Sequence, residues 1–478
     1  MSARMKFSIM MFLEFFIWGA WLPLAVPFLL ALKFSGWQIA LFMNAFAVAS
    51  ITAMFFSNQF ADRNFAAERF LAVSHLIGGV SILGIGFVHD VWPTFDSSIP
   101  EFWPFFALML LHSLFYVPTI SITNSIAFSN LRDAQTEFPL VRLWGTIGWI
   151  AASLPFVFIL VDWDKIPSLG GDTPFVDWLG AIFNQENSKK ESAFIAGVSY
   201  TYVAAGVASL ALAAFSLSLP HTPPKPAQSE DSAFAWLEAM RLLNQPFLLV
   251  LFIATFIDAT VHMGYFMLTG DFLIAKVGIP AQWVMPVMSI GQIAEIGTMA
   301  VLGFVLKRFG WRTTMILGIL GHTARFGVFA FFPEPAPAIL INVLHGICYA
   351  FFFATVYIFV DEFFPKDARA SAQGLFNLLI IGIGPFVGGF LWPFLQSELT
   401  REVEGRPVVD YQTLFLIPSG VALAAALLLL FFFHPPASGS KPHFGPDEGE
   451  AAPDLPLSDG TGATGIQPEN GWTRRSEG

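Results

Sequence analysis

Apolar residues run through the chain in blocks of about 20, the length a helix needs to cross a hydrocarbon core, separated by short polar stretches. Six blocks lie near residues 7–31, 36–58, 69–89, 102–128, 139–161 and 194–219. Six more follow near 246–275, 281–306, 313–332, 337–361, 370–395 and 411–434. The pattern predicts an all-α integral membrane protein with twelve transmembrane helices in two sets of six. HTPPKPAQSEDSAFAW (221–236) divides the sets; its Pro, Ser and charge content marks a polar linker, followed by a short helix to Leu243. The expected organisation is a bundle over 1–220, a linker over 221–244, a second bundle over 245–434 and a tail over 435–478. Gly, Pro and acidic residues dominate that tail, which is expected to be disordered and cytoplasmic.

Composition agrees with this picture. Charged residues make up 12% of the 478 positions and hydrophobic ones 55%, against about 25% charged in soluble domains. The net charge of -11 leaves no basic footprint for nucleic acid. The single cysteine, Cys348, excludes an internal disulfide. MSARMKF is a short basic leader running into a long apolar block without a small-x-small cleavage site, which predicts a retained first span. With both termini on the cytoplasmic side, 16 of the 24 Lys and Arg fall on that side or near it and 7 on the other, with Arg325 inside a span. That bias follows the positive-inside rule, and it makes 162–193 the longest external loop.

Two loops occupy the same place in each half. NQFADRNFAAERF lies between blocks two and three, and GFVLKRFGWRTTM between blocks eight and nine. They resemble the loop signature of the major facilitator superfamily, roughly G-x-x-x-D-R-x-G-R. Asn58 and Phe65 stand where glycines belong in the first copy, while Gly303, Lys307, Arg308, Gly310 and Arg312 keep the second better. Pro23 and Pro27 in block one, and Gly382, Gly384, Gly388 and Gly389 in block eleven, suit helices that bend or pack closely.

No Walker A loop, H-E-x-x-H, C-x-x-C or G-x-S-x-G is present. The chain is therefore read as a carrier, not an enzyme, with no cofactor or metal expected. What remains is polar chemistry inside the spans, where an ionised acid costs roughly 2.5 to 3.5 kcal/mol on insertion scales. Gln292 and Glu295 are three residues apart near the middle of block eight and share a helical face. Burial disfavours a charged carboxylate, so Glu295 is expected to hold a proton in a dry cavity and release it in a wet one, as a proton-coupled carrier requires. Asp258, His262 and Tyr265 follow i, i+4, i+7 spacing on one stripe, where an acid and an imidazole can share a proton. Glu14 is a further proton-coupling candidate, with snorkelling or pairing to a neighbouring helix as the alternative. Arg142 reads either as a ligand contact or as a positive-inside anchor, and Arg325 as an ion pair with Glu295 or Asp361. Tyr116 and Tyr349 are candidates to stack on a flat ring.

Several stretches together resemble the bacterial nucleoside:proton symporter family of the major facilitator superfamily: MMFLEFFIWGAW (10–21), YVPTISITNSIAF (116–128), FPLVRLWGTIGWI (138–150), GQIAEI (291–296) and ARASAQGLF (368–376). The resemblance covers nearly all twelve spans. It implies two pseudo-symmetric bundles in the inner membrane and uptake of nucleosides with protons. By the same resemblance, Arg142 and Thr146 occupy substrate-contacting positions of span five, and Gln292 and Glu295 match the polar pair of span eight. Span ten departs from the pattern: the family reads an aromatic followed by an aspartate, where this chain has Tyr349 followed by Ala350 in HGICYAFFF. Asp258 or Glu14 is expected to replace that carboxylate. A carrier of another neutral polar solute, such as a sugar, fits the same aromatic and carboxylate lining.

Overall fold

The computed structural model describes residues 1–53, 65–91, 102–131, 134–169, 173–224, 242–364 and 366–435. Most of the first loop signature, of the linker and of the tail lies outside the described residues. Where the short helix to Leu243 was expected, the described part is one 3-10 turn, Leu242–Asn244.

The membrane helices are α1 (Ala3–Ala31), α2 (Gly36–Thr52), α3 (Ala67–Val91), α4 (Phe102–Asn130), α5 (Ala134–Ile159) and α6 (Glu191–Ser216). The second set is α7 (Pro246–Phe272), α8 (281–309), α9 (311–331), α10 (Pro335–Phe363), α11 (Ala372–Glu398) and α12 (Tyr411–Phe432). Ten helices among the described residues are long and apolar enough to span a bilayer, and α2 is a shorter apolar one. One of the ten, Ala281–Phe331, is two spans: the break falls at Gly310, with φ 75° and ψ 174°. A positive φ of this kind is open to glycine and strained for other residues. Helical backbone thus continues on both sides of a turn that the sequence suggested would be a loop over 307–312. Twelve spans result among the described residues.

The same packing scheme occurs twice. In the first half α1 packs on α5, α2 on α4 and α3 on α6; in the second α7 packs on α11, α8 on α10 and α9 on α12. Each helix therefore has its counterpart six spans later, the repeat that the two loops hinted at. Between the halves, α2 packs on α11 and α5 on α8, which are again equivalent pairs. Glycine lets helices meet backbone to backbone where the site is built: a Cβ on Gly148 of α5 would lie 2.1 Å from the Phe12 carbonyl of α1, and one on Gly346 of α10 2.4 Å from the Glu295 amide of α8.

At the end where α1 finishes, the chain between α5 and α6 reaches across to the second half. Its short helix, Phe175–Ile182, is followed by a turn. Ser188 Oγ donates to Gln282 Oε1 at 2.6 Å, Gln282 Nε2 donates to the Ile182 carbonyl at 2.8 Å, and the Phe183 and Trp283 rings stack at 3.9 Å. A hairpin of β1 (Thr400–Val403) and β2 (Arg406–Val409), which the sequence reading did not anticipate, joins α11 to α12.

Candidate functional site between the halves

The candidate residues inside the spans fall into three groups. In the first half, Glu14 of α1 is fully buried. Its Oε2 lies 2.9 Å from His75 Nε2 of α3, and its Oε1 accepts from Thr119 Oγ1 of α4 at 2.8 Å. His75 Nδ1 is 3.0 Å from Ser209 Oγ of α6. Glu14 therefore does not snorkel; it ties four helices together. Tyr116, expected as a stacking surface for ligand, is also buried here: its hydroxyl donates to the Glu14 carbonyl at 2.7 Å and its ring stacks on His112. His75 and Ser209 were not singled out in the sequence, although a histidine inside a span satisfies the rule that singled out Glu14.

The second group sits where α5 meets α8. Arg142 and Thr146 are one turn apart on α5, and Gln292 and Glu295 one turn apart on α8; all four are half-buried. The Arg142 guanidinium lies 3.9 Å over the Phe15 ring of α1. Tyr349 of α10, a helix that also packs on α8, is half-buried as well. Five of the residues that sequence and resemblance pointed to thus sit, half-buried, on three helices from both halves that pack in turn, α5 on α8 and α8 on α10.

The third group is inside the second half, and here two expectations are corrected. Arg325 of α9 pairs with neither Glu295 nor Asp361. Its Nη1 is 2.8 Å from His345 Nδ1 of α10 and its Nη2 2.9 Å from His322 Nδ1, while its charge lies 4.1 Å over the Tyr265 ring. Arg325 faces α7 and α10, so the acids on α8 and at the far end of α10 are not its partners. Nor do Asp258 and His262 share a proton directly. The fully buried Asp258 has His322 beside it, with 3.7 Å between Oδ1 and Nε2, and neither carboxylate oxygen has a hydrogen-bond partner among the described residues. His262 stacks flat against His345 at 5.0 Å instead. Tyr265 donates to Asn342 Oδ1 at 2.8 Å. The group reaches the interface through Gln292, whose amide is 3.3 Å from His345 Nε2.

Ala350, at the position where the family pattern has aspartate, is fully buried in an apolar cluster with Leu302, Val305, Phe351 and Ala354. A carboxylate there would meet the α8–α10 contact, so alanine fits its surroundings. The segment Tyr349–Ala354 is wound as a π-helix, a local widening that often accompanies functional sites.

Two repeats meeting at a polar, aromatic-lined centre inside the membrane define a secondary transporter of the major facilitator fold. The family model described as nucleoside H+ symporter matches residues 1–169 and 174–438. The chain belongs to that family, and is a transporter and not an enzyme. It is 32% identical to YegT of Escherichia coli K12 over 410 residues, covering 84% of this chain and 86% of that one. It is 28% identical to the xanthosine permease of the same organism over 442 residues, covering 88% and 94%. The crystal structure of the nucleoside transporter NupG superposes with a TM-score of 0.73 at 24% identity, covering 91% of this chain and 99% of that one, which supports the fold.

Proposed function

We propose that the protein imports nucleosides together with protons across a bacterial inner membrane, with both termini cytoplasmic, by rocking one six-helix half against the other. The observation that supports this reading is that Arg142 and Glu295 come from opposite halves, on the two helices, α5 and α8, that pack against each other across the interface. A ligand held by Arg142 and Thr146 from one half and by Gln292, Glu295 and Tyr349 from the other bridges the two bodies that must move. Glu295 carries the coupled proton in this scheme. Deprotonated, it engages Arg142; protonated, it releases that charge to the ligand and becomes neutral enough to cross the occluded state. Tyr349 offers a ring on which a base can stack. The positive-inside bias supports the orientation, and the bridge from Ser188 and Phe183 to Gln282 and Trp283 then closes the external side.

The other proton candidates differ in their surroundings. Asp258, without a hydrogen-bond partner among the described residues and next to His322, is the second proton site in this account, and the His262 ring packs edge-on against His322. Glu14 is satisfied by His75 and Thr119 within one half, and acts as an anchor. The test is co-transport: uridine or adenosine added outside proteoliposomes containing a pH dye should acidify the lumen. Nucleoside entry with no accompanying acidification would contradict coupling.

A further inference from the structure

Arg325 is fully buried between two imidazoles. Its Nη1 and Nη2 meet His345 Nδ1 and His322 Nδ1 at 2.8 and 2.9 Å. A guanidinium has only N–H donors and keeps its charge in proteins, so both Nδ1 atoms must accept. An imidazole that accepts at Nδ1 carries its one proton on Nε2 and is neutral. His345 Nε2–H therefore points at the Gln292 amide, 3.3 Å away, where the amide nitrogen is the atom placed against it. Two donors do not bond each other. The two ends of an amide have the same shape, and the surrounding network decides which is which. The network here puts Gln292 Oε1 against His345 and turns the NH2 group the other way.

We infer that Arg325 and His345 are positioning residues that orient the Gln292 amide with its NH2 group toward the space between α5 and α8, so that the site selects ligands presenting a hydrogen-bond acceptor at that point. This rests on the reading of Gln292 as a ligand contact. On a nucleoside the acceptor is a base carbonyl, an unprotonated ring nitrogen or a ribose oxygen. A ligand lacking it leaves a desolvated N–H unpaired, which weakens binding by roughly ten-fold. The relay also assigns a role to a buried arginine that touches no ligand itself: it fixes the polarity of an atom two side chains away.

Two measurements test this. The first needs no substrate. Nitrogen-15 spectra of histidine-labelled protein, with the His345 signals identified by their loss in His345→Gln, should show an unprotonated Nδ1 and a protonated Nε2. A protonated Nδ1, or an imidazolium at neutral pH, would overturn the inference. The second is competition against labelled adenosine by 2′-deoxy, 3-deaza and 7-deaza analogues. Wild type should reject at least one acceptor-deleted analogue roughly ten-fold. His345→Gln, which can still accept from Arg325 and donate to Gln292, should keep that ratio, while His345→Phe should reduce it. Equal ratios in the two variants would refute the relay. Wild type with the Nε2–H tautomer but no nucleoside binding would instead remove the nucleoside reading and leave the orientation of Gln292 standing.

Discussion

Glu14 Oε2 lies 2.9 Å from His75 Nε2, with both side chains fully buried where α1, α3, α4 and α6 meet. Breaking a buried pair leaves its partner uncompensated, which costs about 3 to 5 kcal/mol. Glu14→Ala and His75→Ala should each lower stability by an amount of that order, and the double variant by clearly less than the two together. Denaturation in detergent measures all three. Glu14→Gln should keep proton-driven uptake, because the anchoring role needs hydrogen bonds and not a titrating group.

The contact between α8 and α10 is equally specific. Gly346→Ala would push a methyl to 2.4 Å from the Glu295 amide nitrogen, whereas a methyl on Gly297, two residues past Glu295, meets nothing within 4 Å. Overpacking of this kind costs about 1 to 3 kcal/mol. Gly346→Ala should lower the melting temperature and impair transport through displacement of Glu295; Gly297→Ala should be neutral or slightly stabilising. Melting curves of the two variants side by side check this.

Outside the membrane, Asp410 caps α12. The Thr413 backbone N–H donates to Oδ1 at 3.1 Å and its hydroxyl to Oδ2 at 2.8 Å, bonds that hold the Asp410 carboxyl below its ordinary range. A lowered folded value means that the cap stabilises fully above the unfolded value, about 3.9, and fades as pH falls through the folded one. The melting-temperature gap between wild type and Asp410→Ala should be constant from neutral pH down to about 5 and close on further acidification.

How much of this could be read from the sequence depends on the length scale of the signal. Span number and position were legible because the bilayer sets a length that apolar blocks must meet, and even the break at Gly310 showed as KRFGWR between two blocks. That Gln292 and Glu295 share a face of α8 was legible because helical periodicity sets it. Partners across helices were not. Periodicity gives the face of one helix but not the rotation of its neighbours, so Arg325 suggested Glu295 or Asp361, while the imidazole 20 residues on, His345, was its partner. His75 met the intramembrane rule, but its partner, Glu14, is 61 residues away. Asp258 and His262 had contact spacing, yet the flat ring of His345 offered His262 a better surface. Ala350 stood out as a missing carboxylate only through the family pattern; its apolar setting needed the packing of α8 on α10.

The central claim is that Glu295 couples the two halves and the proton. Accumulation of labelled uridine and adenosine in proteoliposomes, with and without an inward proton gradient, tests it most directly when wild type is compared with Glu295→Gln. Gradient-driven accumulation in wild type that is lost in the variant, with nucleoside exchange at equal concentrations retained, is the predicted result. Accumulation that survives Glu295→Gln unchanged would place the coupled proton elsewhere and contradict the account.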